Sequence, residues 1–330
     1  MPHKPISAVV EIGPNYIMHL LAVAKVGFDS EYSSRYTGAV KEVDLEYLRA
    51  QRSLLTFANG HMGQLTGLLI FLPCYLNLDS KTKLQEFFSL LLAGLREGHF
   101  QPLMDRYSAE IARLDFWIQP VDSHWLAQYA AHSEEITRLA RVYADNFDVY
   151  LEQVWMQEAP HIRAVAASIN DHFRKTDIIA LWETLTNRQF KFDYYEIVLC
   201  SAIENGPNAN SLGYERNMFY SGHNFAFMTQ FISHEVGTHI LIDLIAPAFR
   251  GDTVYPFDLV YRTYENLAKF YNTIILGDTD AYENMYGSFG EQAQQSLHRL
   301  KEVNPSLSPD ELFWQAVEVA VPFLLLPTEP

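Results

Sequence analysis

The sequence predicts an α+β protein that is predominantly helical, with a small sheet or hairpin just before a helix carrying His234, Glu235 and His239. Three observations lead there. Apolar positions recur at helical spacing over residues 42–186, a β-branched and aromatic run opens at Phe192, and helical spacing returns after Gly222.

Within the N-terminal region, Leu84–Leu92 reads as a helix ending near Gly94 or Gly98. A long helix is predicted from Asp122–Ser123, carrying Trp125, Tyr129, Ile136, Leu139 and Tyr143 toward the core. Asp177 caps a further helix with Ile178, Leu181, Trp182 and Leu185. Phe192–Cys200 and Leu212–Tyr220 read as two strands joined through turn formers between Glu204 and Asn210, giving a hairpin or short sheet. A helix then runs to Ile245, with Pro247 beyond it, and another spans about Pro256 to Leu276. Ser308-Pro309-Asp310-Glu311 is a capping box, and the apolar tail Val319–Leu326 is expected to be buried. These elements divide into a mainly helical region, 1–190, and a region with the hairpin and the histidine helix, 191–330, expected to form one continuous globular unit.

Composition bounds the function. With 330 residues, 48% apolar and 19% charged, the chain can bury a sizeable core as one large domain or two modest ones. A formal net charge of -16 argues against nucleic acid and anionic membranes as partners. Cys74 and Cys200 lie in apolar runs and are expected to be buried free thiols. The stretch Leu65–Leu78 is too short to span a bilayer and contains Pro73, and no signal peptide is read at Met1–Pro5, so the cytoplasm is the expected location. Asn59–Gly67 has glycines but lacks the Gly-Lys-Ser/Thr of a phosphate-cradling loop.

The chemistry concentrates in His234-Glu235-Val236-Gly237-Thr238-His239. Catalytic zinc takes three nitrogen or oxygen ligands and keeps a position open for water, and a neighbouring carboxylate accepts that water's proton. In HExxH the histidines sit one above the other on a helix. Here they are five residues apart, a rotation of about 140° instead of about 40°. A π-bulge, eased by Gly237, would bring them to one ion. Glu265 follows on the next helix among Tyr261, Leu267 and Phe270, where a carboxylate calls for a partner. His234, His239 and Glu265 are thus the candidate ligands of one Zn2+ ion, and Glu235 the candidate general base. An ordinary polar stripe of Glu235, His239 and Asp243 is the competing arrangement. Arg250, Arg262 and Arg216 are candidate cations for a substrate carboxylate, Tyr261 and Tyr264 candidate oxyanion donors, and His223 a substrate contact or helix-start residue.

His-Glu-Val-Gly-Thr-His followed by Glu265-x-Leu267-Ala268 resembles the tyrosine carboxypeptidase family, which has microtubule-associated members and bacterial members with a Gln-Glu-Gly-Leu-Ala motif. Tyr264 and Asn266 stand where that motif has Gln and Gly, and the likeness covers about residues 230–270. It implies a zincin-like metallopeptidase core, zinc held by His234, His239 and Glu265, catalysis by Glu235, and a peptide or protein substrate cut at its C-terminus. Another metal-dependent hydrolase, a non-haem iron enzyme with the same ligands, and a non-enzymatic helical protein are the alternatives.

Overall fold

The computed structural model describes residues 3–58, 61–112, 114–116, 119–206, 210–213, 215–277 and 286–322. It is mostly helical with a small sheet, and the chain groups into two units. Residues 172–195 group with 223–330, and 6–171 with 196–222, so the change of sequence character at Phe192 is not where the units part.

The unit formed by 6–171 and 196–222 contains a four-stranded sheet. Its strands are β1 (Ile6–Val9), β2 (Tyr195–Cys200), β3 (Asn210–Gly213) and β4 (Arg216–Tyr220), in the order β1-β2-β4-β3. β2 and β4 pair in parallel, from Glu196 opposite Arg216 to Cys200 opposite Tyr220. The two predicted strands therefore do not form a hairpin with each other. The hairpin is β3–β4, antiparallel with an irregularity at Ser211 and Gly213. Ile197, Val198, Leu199 and Cys200 are buried without alternation, as a strand covered on both faces should be. Within the turn-forming stretch, residues 207–209 lie outside the described residues, as do Asn59 and Gly60 of the glycine-containing run.

Helix α1 (Ile12–Ala24) is buried nearly throughout and is tied to the sheet by Asn15. Its amide donates to the Leu199 carbonyl at 2.8 Å and its side-chain oxygen accepts from the Ser201 N–H at 3.2 Å. α2 (Lys81–Glu97) is capped by Ser80 and ends at Gly98 in the left-handed region, with Gly94 inside it. The long helix predicted from Asp122 is broken. Asp122 caps only Ser123–Ala127, a 3₁₀ turn follows at Ala130–His132, and α3 starts at Ser133 and runs to Tyr150. The Ser133 hydroxyl donates to the Ala130 carbonyl at 2.5 Å, a local bond that competes with continued helix. Trp125, Tyr129, Ile136, Leu139 and Tyr143 are buried regardless. α4 (Met156–Lys175) follows a π turn at Leu151–Trp155. Cys74 and Cys200 are buried free thiols, and burial pushes Cys200 up to about 12.

In the other unit, Asp177 caps α5 (Ile178–Thr186) by accepting from the Ala180 N–H at 3.0 Å. Asn224 caps α6 (Phe225–Leu241) in the same way through Phe227 at 2.9 Å. α7 (Phe257–Leu276), α8 (Gly287–Val303) and α9 (Pro309–Ala320) complete the bundle, and the Ser308–Glu311 capping box is formed on α9. Asn272 donates to the Gln230 carbonyl and Tyr264 to that of Thr238, so α6 and α7 lie antiparallel. The apolar tail is not buried as a run. Val319 and Val321 are 43% and 41% exposed around a buried Ala320, because α9 buries one face only. Residues 323–326 lie outside the described residues.

Candidate functional site

α6 is an uninterrupted α-helix from Phe225 to Leu241. Among the described residues, π turns occur at Gly67–Phe71 and Leu151–Trp155, but the one predicted between His234 and His239 is absent. Gly237 serves a different purpose. A Cβ there would collide with the six-membered ring of Trp182 on α5, and the Trp182 indole N–H donates to the Ser233 hydroxyl at 3.0 Å. Glycine lets α5 approach α6 closely at the middle of the motif.

Across the α6–α7 contact, His234 Nε2 and Glu265 Oε2 are 3.0 Å apart. His234 is 1% exposed, and the Glu265 side chain 12%. The sequence reading paired these residues as ligands, and α7 delivers the carboxylate to the imidazole. Glu235, on the next position of α6, is a neighbour of this pair. Desolvation pushes its carboxyl well above the usual range, Glu265's charge adds to that, and a hydrogen bond from Thr238 opposes it. The Thr238 hydroxyl donates to the Glu235 carbonyl at 2.8 Å and lies 3.5 Å from its carboxylate.

His239 points elsewhere, as five steps on an unbroken helix require. Its ring lies nearly parallel to Phe190 with centroids 6.5 Å apart, and Tyr195 meets it edge-on at 5.5 Å. Among the described residues, no three His, Cys, Asp or Glu side chains form a group disposed to hold a metal ion. Asp243 does not continue a polar stripe with Glu235 and His239. α6 ends at Leu241, and Asp243 lies in a 3₁₀ turn, paired with Lys191 at 3.0 Å.

The other candidates separate clearly. Burial, with the charge of Glu265 adding to it, pushes the Tyr261 phenol up, and Tyr264, fully buried, donates to the Thr238 carbonyl. Arg250 is exposed and bonded to Asp252 at 2.7 Å. Arg262 bonds Asp258 at 3.0 Å and lies over the rings of Tyr286 and Phe289. Arg216 belongs to the sheet-containing unit, bonded to Glu11 and Glu196 at 2.6 Å each. His223 precedes the Asn224 cap and packs against Phe227 at 4.4 Å, and burial lowers its pKa.

His234 and Glu265 supply two donors of the types that zinc takes, and the 3.0 Å between them is that of a direct hydrogen bond or ion pair. Trp182 and Thr238 were not read from the sequence as parts of the site. Trp182 carries the helical spacing of any core residue. No family model matches this chain, and no curated protein or solved structure is detectably similar to it.

Proposed function

We propose that the chain is a zinc-dependent metallopeptidase, carboxypeptidase-like and related in its site to the tyrosine carboxypeptidases, acting on a peptide or protein. The observation that carries this is the 3.0 Å approach of Glu265 to His234, two residues 31 apart that the motif reading chose as ligands on chemical grounds. His234 and Glu265 would hold the ion, with His239 the third donor that the motif offers. The ion supplies a Lewis acid for the peptide carbonyl and a water that ionises near neutral pH. Glu235, adjacent to His234 in a poorly solvated setting, takes a proton and returns it to the leaving amine.

A second reading, a non-enzymatic helix bundle in which His234 and Glu265 are only a buried polar pair, is favoured by the unbroken α6 and by the ring packing of His239. The two separate on incubation with a peptide library, with Glu235→Gln as control. Cleavage by the wild type and none by Glu235→Gln supports the peptidase. An uncleaved library with a zinc-free protein supports the bundle. The cut position also tells whether a chain terminus is required, since Arg250 and Arg262 already have carboxylate partners.

A further inference from the structure

Helices α2 and α3 pack antiparallel, with Lys81 bonded to Asp148 at 2.9 Å at one end and the Phe88 ring 5.5 Å from that of Tyr143 further along. At the other end, where α2 finishes and α3 begins, the groove between them holds a cavity of about 390 Å³. Sites for small molecules occupy about 300–1,000 Å³. The walls are Ser89, Leu92 and Arg96 from α2, and Ser133, Glu134 and Thr137 from α3. The α2 residues fall at i, i+3 and i+7, so they share one face of their helix. Both helices belong to the sheet-containing unit, whereas His234 and Glu265 belong to the other.

The two walls carry opposite chemistry. On the α2 side, the Arg96 Nε donates to the Leu92 carbonyl at 3.2 Å, which holds the guanidinium along its own helix and leaves its terminal N–H groups to donate elsewhere. Ser89 adds a hydroxyl on the same face. On the α3 side, the Ser133 and Thr137 hydroxyls donate to the Ala130 and Ser133 carbonyls at 2.5 and 2.6 Å, so toward the cavity their oxygens can only accept. The Glu134 carboxylate is a further acceptor on that wall. Arg96 and Glu134 each complement their own helix end, a cation in the last turn of α2 and an anion in the first turn of α3. Among the described residues no ion pair joins the two, although they line one cavity. A wall of donors thus faces a wall of acceptors, with Leu92 as the apolar surface between them.

We propose that this cavity binds a small zwitterion, a free amino acid or a dipeptide, with its carboxylate on the α2 wall and its ammonium on the α3 wall. A guanidinium receives a carboxylate through two parallel N–H bonds, and the acceptors opposite match the three N–H groups of an ammonium. A lone anion would meet Glu134 and a lone cation Arg96, so a ligand with both charges is the one that neither wall repels. An apolar side chain rests on Leu92. The inference is independent of the metallopeptidase reading, since no residue of the cavity belongs to that site.

Isothermal titration of the full chain with leucine and with leucyl-leucine tests this, alongside the N-acetylated and the amidated form of each, which lack one charge. Saturable binding of at least one zwitterion is expected, weakened about ten- to a hundredfold in either blocked form. The tighter of the two zwitterions separates an amino-acid site from a dipeptide site. Arg96→Gln should cease to distinguish the zwitterion from its amide, and Glu134→Gln should cease to distinguish it from its N-acetyl form. Both side chains are exposed, so each variant should keep the wild-type melting temperature. The comparison of blocked and unblocked ligands on the wild type stands even where a variant fails to fold. Absence of saturable binding by both zwitterions overturns the proposal. So does a blocked form that binds the wild type as tightly as its zwitterion, or a preference that survives in the variant meant to abolish it.

Discussion

At the scale of single residues, the proposal divides the work between Glu235 and Glu265, two glutamates that follow and face His234. Glu265 lies 3.0 Å from His234, and its charge pushes the Tyr261 phenol up, so the proposal gives it the ligand's part. Glu235 is marked by desolvation, which pushes its carboxyl up, as suits a proton carrier. Glu235→Gln is therefore expected to reduce hydrolysis by about 10²–10⁴-fold while zinc stays bound. Measuring both in one preparation decides the roles: loss of zinc together with activity would make Glu235 a ligand. The approach of Glu265 to His234 was legible in the sequence, since a carboxylate on an apolar helix calls for a partner.

At the scale of elements, the positions where local chemistry decides were read correctly. Asp177 and Ser308 cap their helices, and Phe257–Leu276 falls within a residue of the predicted span, because caps and apolar spacing act over one or two turns. The parallel pairing of β2 with β4 was not readable from strand-like composition, although the unbroken burial of Ile197–Cys200 was its available signature. Gly237 is the sharpest case. Glycine between the histidines suggested a bulge, but its neighbour is Trp182, 55 residues earlier in the chain. Gly237→Ala should accordingly destabilise the protein by about 1–3 kcal/mol through overpacking, measured by urea unfolding. Trp182→Leu, which opens space there, should make the Gly237→Ala change nearly neutral in the double variant. Additive losses in that cycle would mean that the contact is not what requires glycine.

At the scale of the whole molecule, the acidic balance and the buried histidine set the pH response. His19 is fully buried, its Nδ1 is 3.0 Å from the Tyr32 hydroxyl, and the rings of Tyr36 and Tyr150 also face it. Those phenols are all pushed up and stay neutral through the acid range. Burial lowers His19 to about 3 from an ordinary 6.5. The unfolded chain therefore binds a proton below 6.5 that the folded chain refuses until about pH 3. Stability from this group is complete above 6.5 and falls by roughly 1.4 kcal/mol per pH unit on acidification through that window. His19→Asn should flatten the acid limb of the unfolding curve between those limits, and parallel limbs for wild type and variant would contradict it. No described helix is long and apolar enough to cross a membrane.

The proposed metal is what joins these scales, since the proposed roles of the histidine motif, of Glu265 and of Glu235 all depend on it. Elemental analysis of the purified chain measures it directly, with His239→Ala and Glu265→Ala prepared alongside. The account predicts one zinc per wild-type chain and loss of that zinc in both variants. A correctly folded wild type that remains metal-free after incubation with zinc would contradict it.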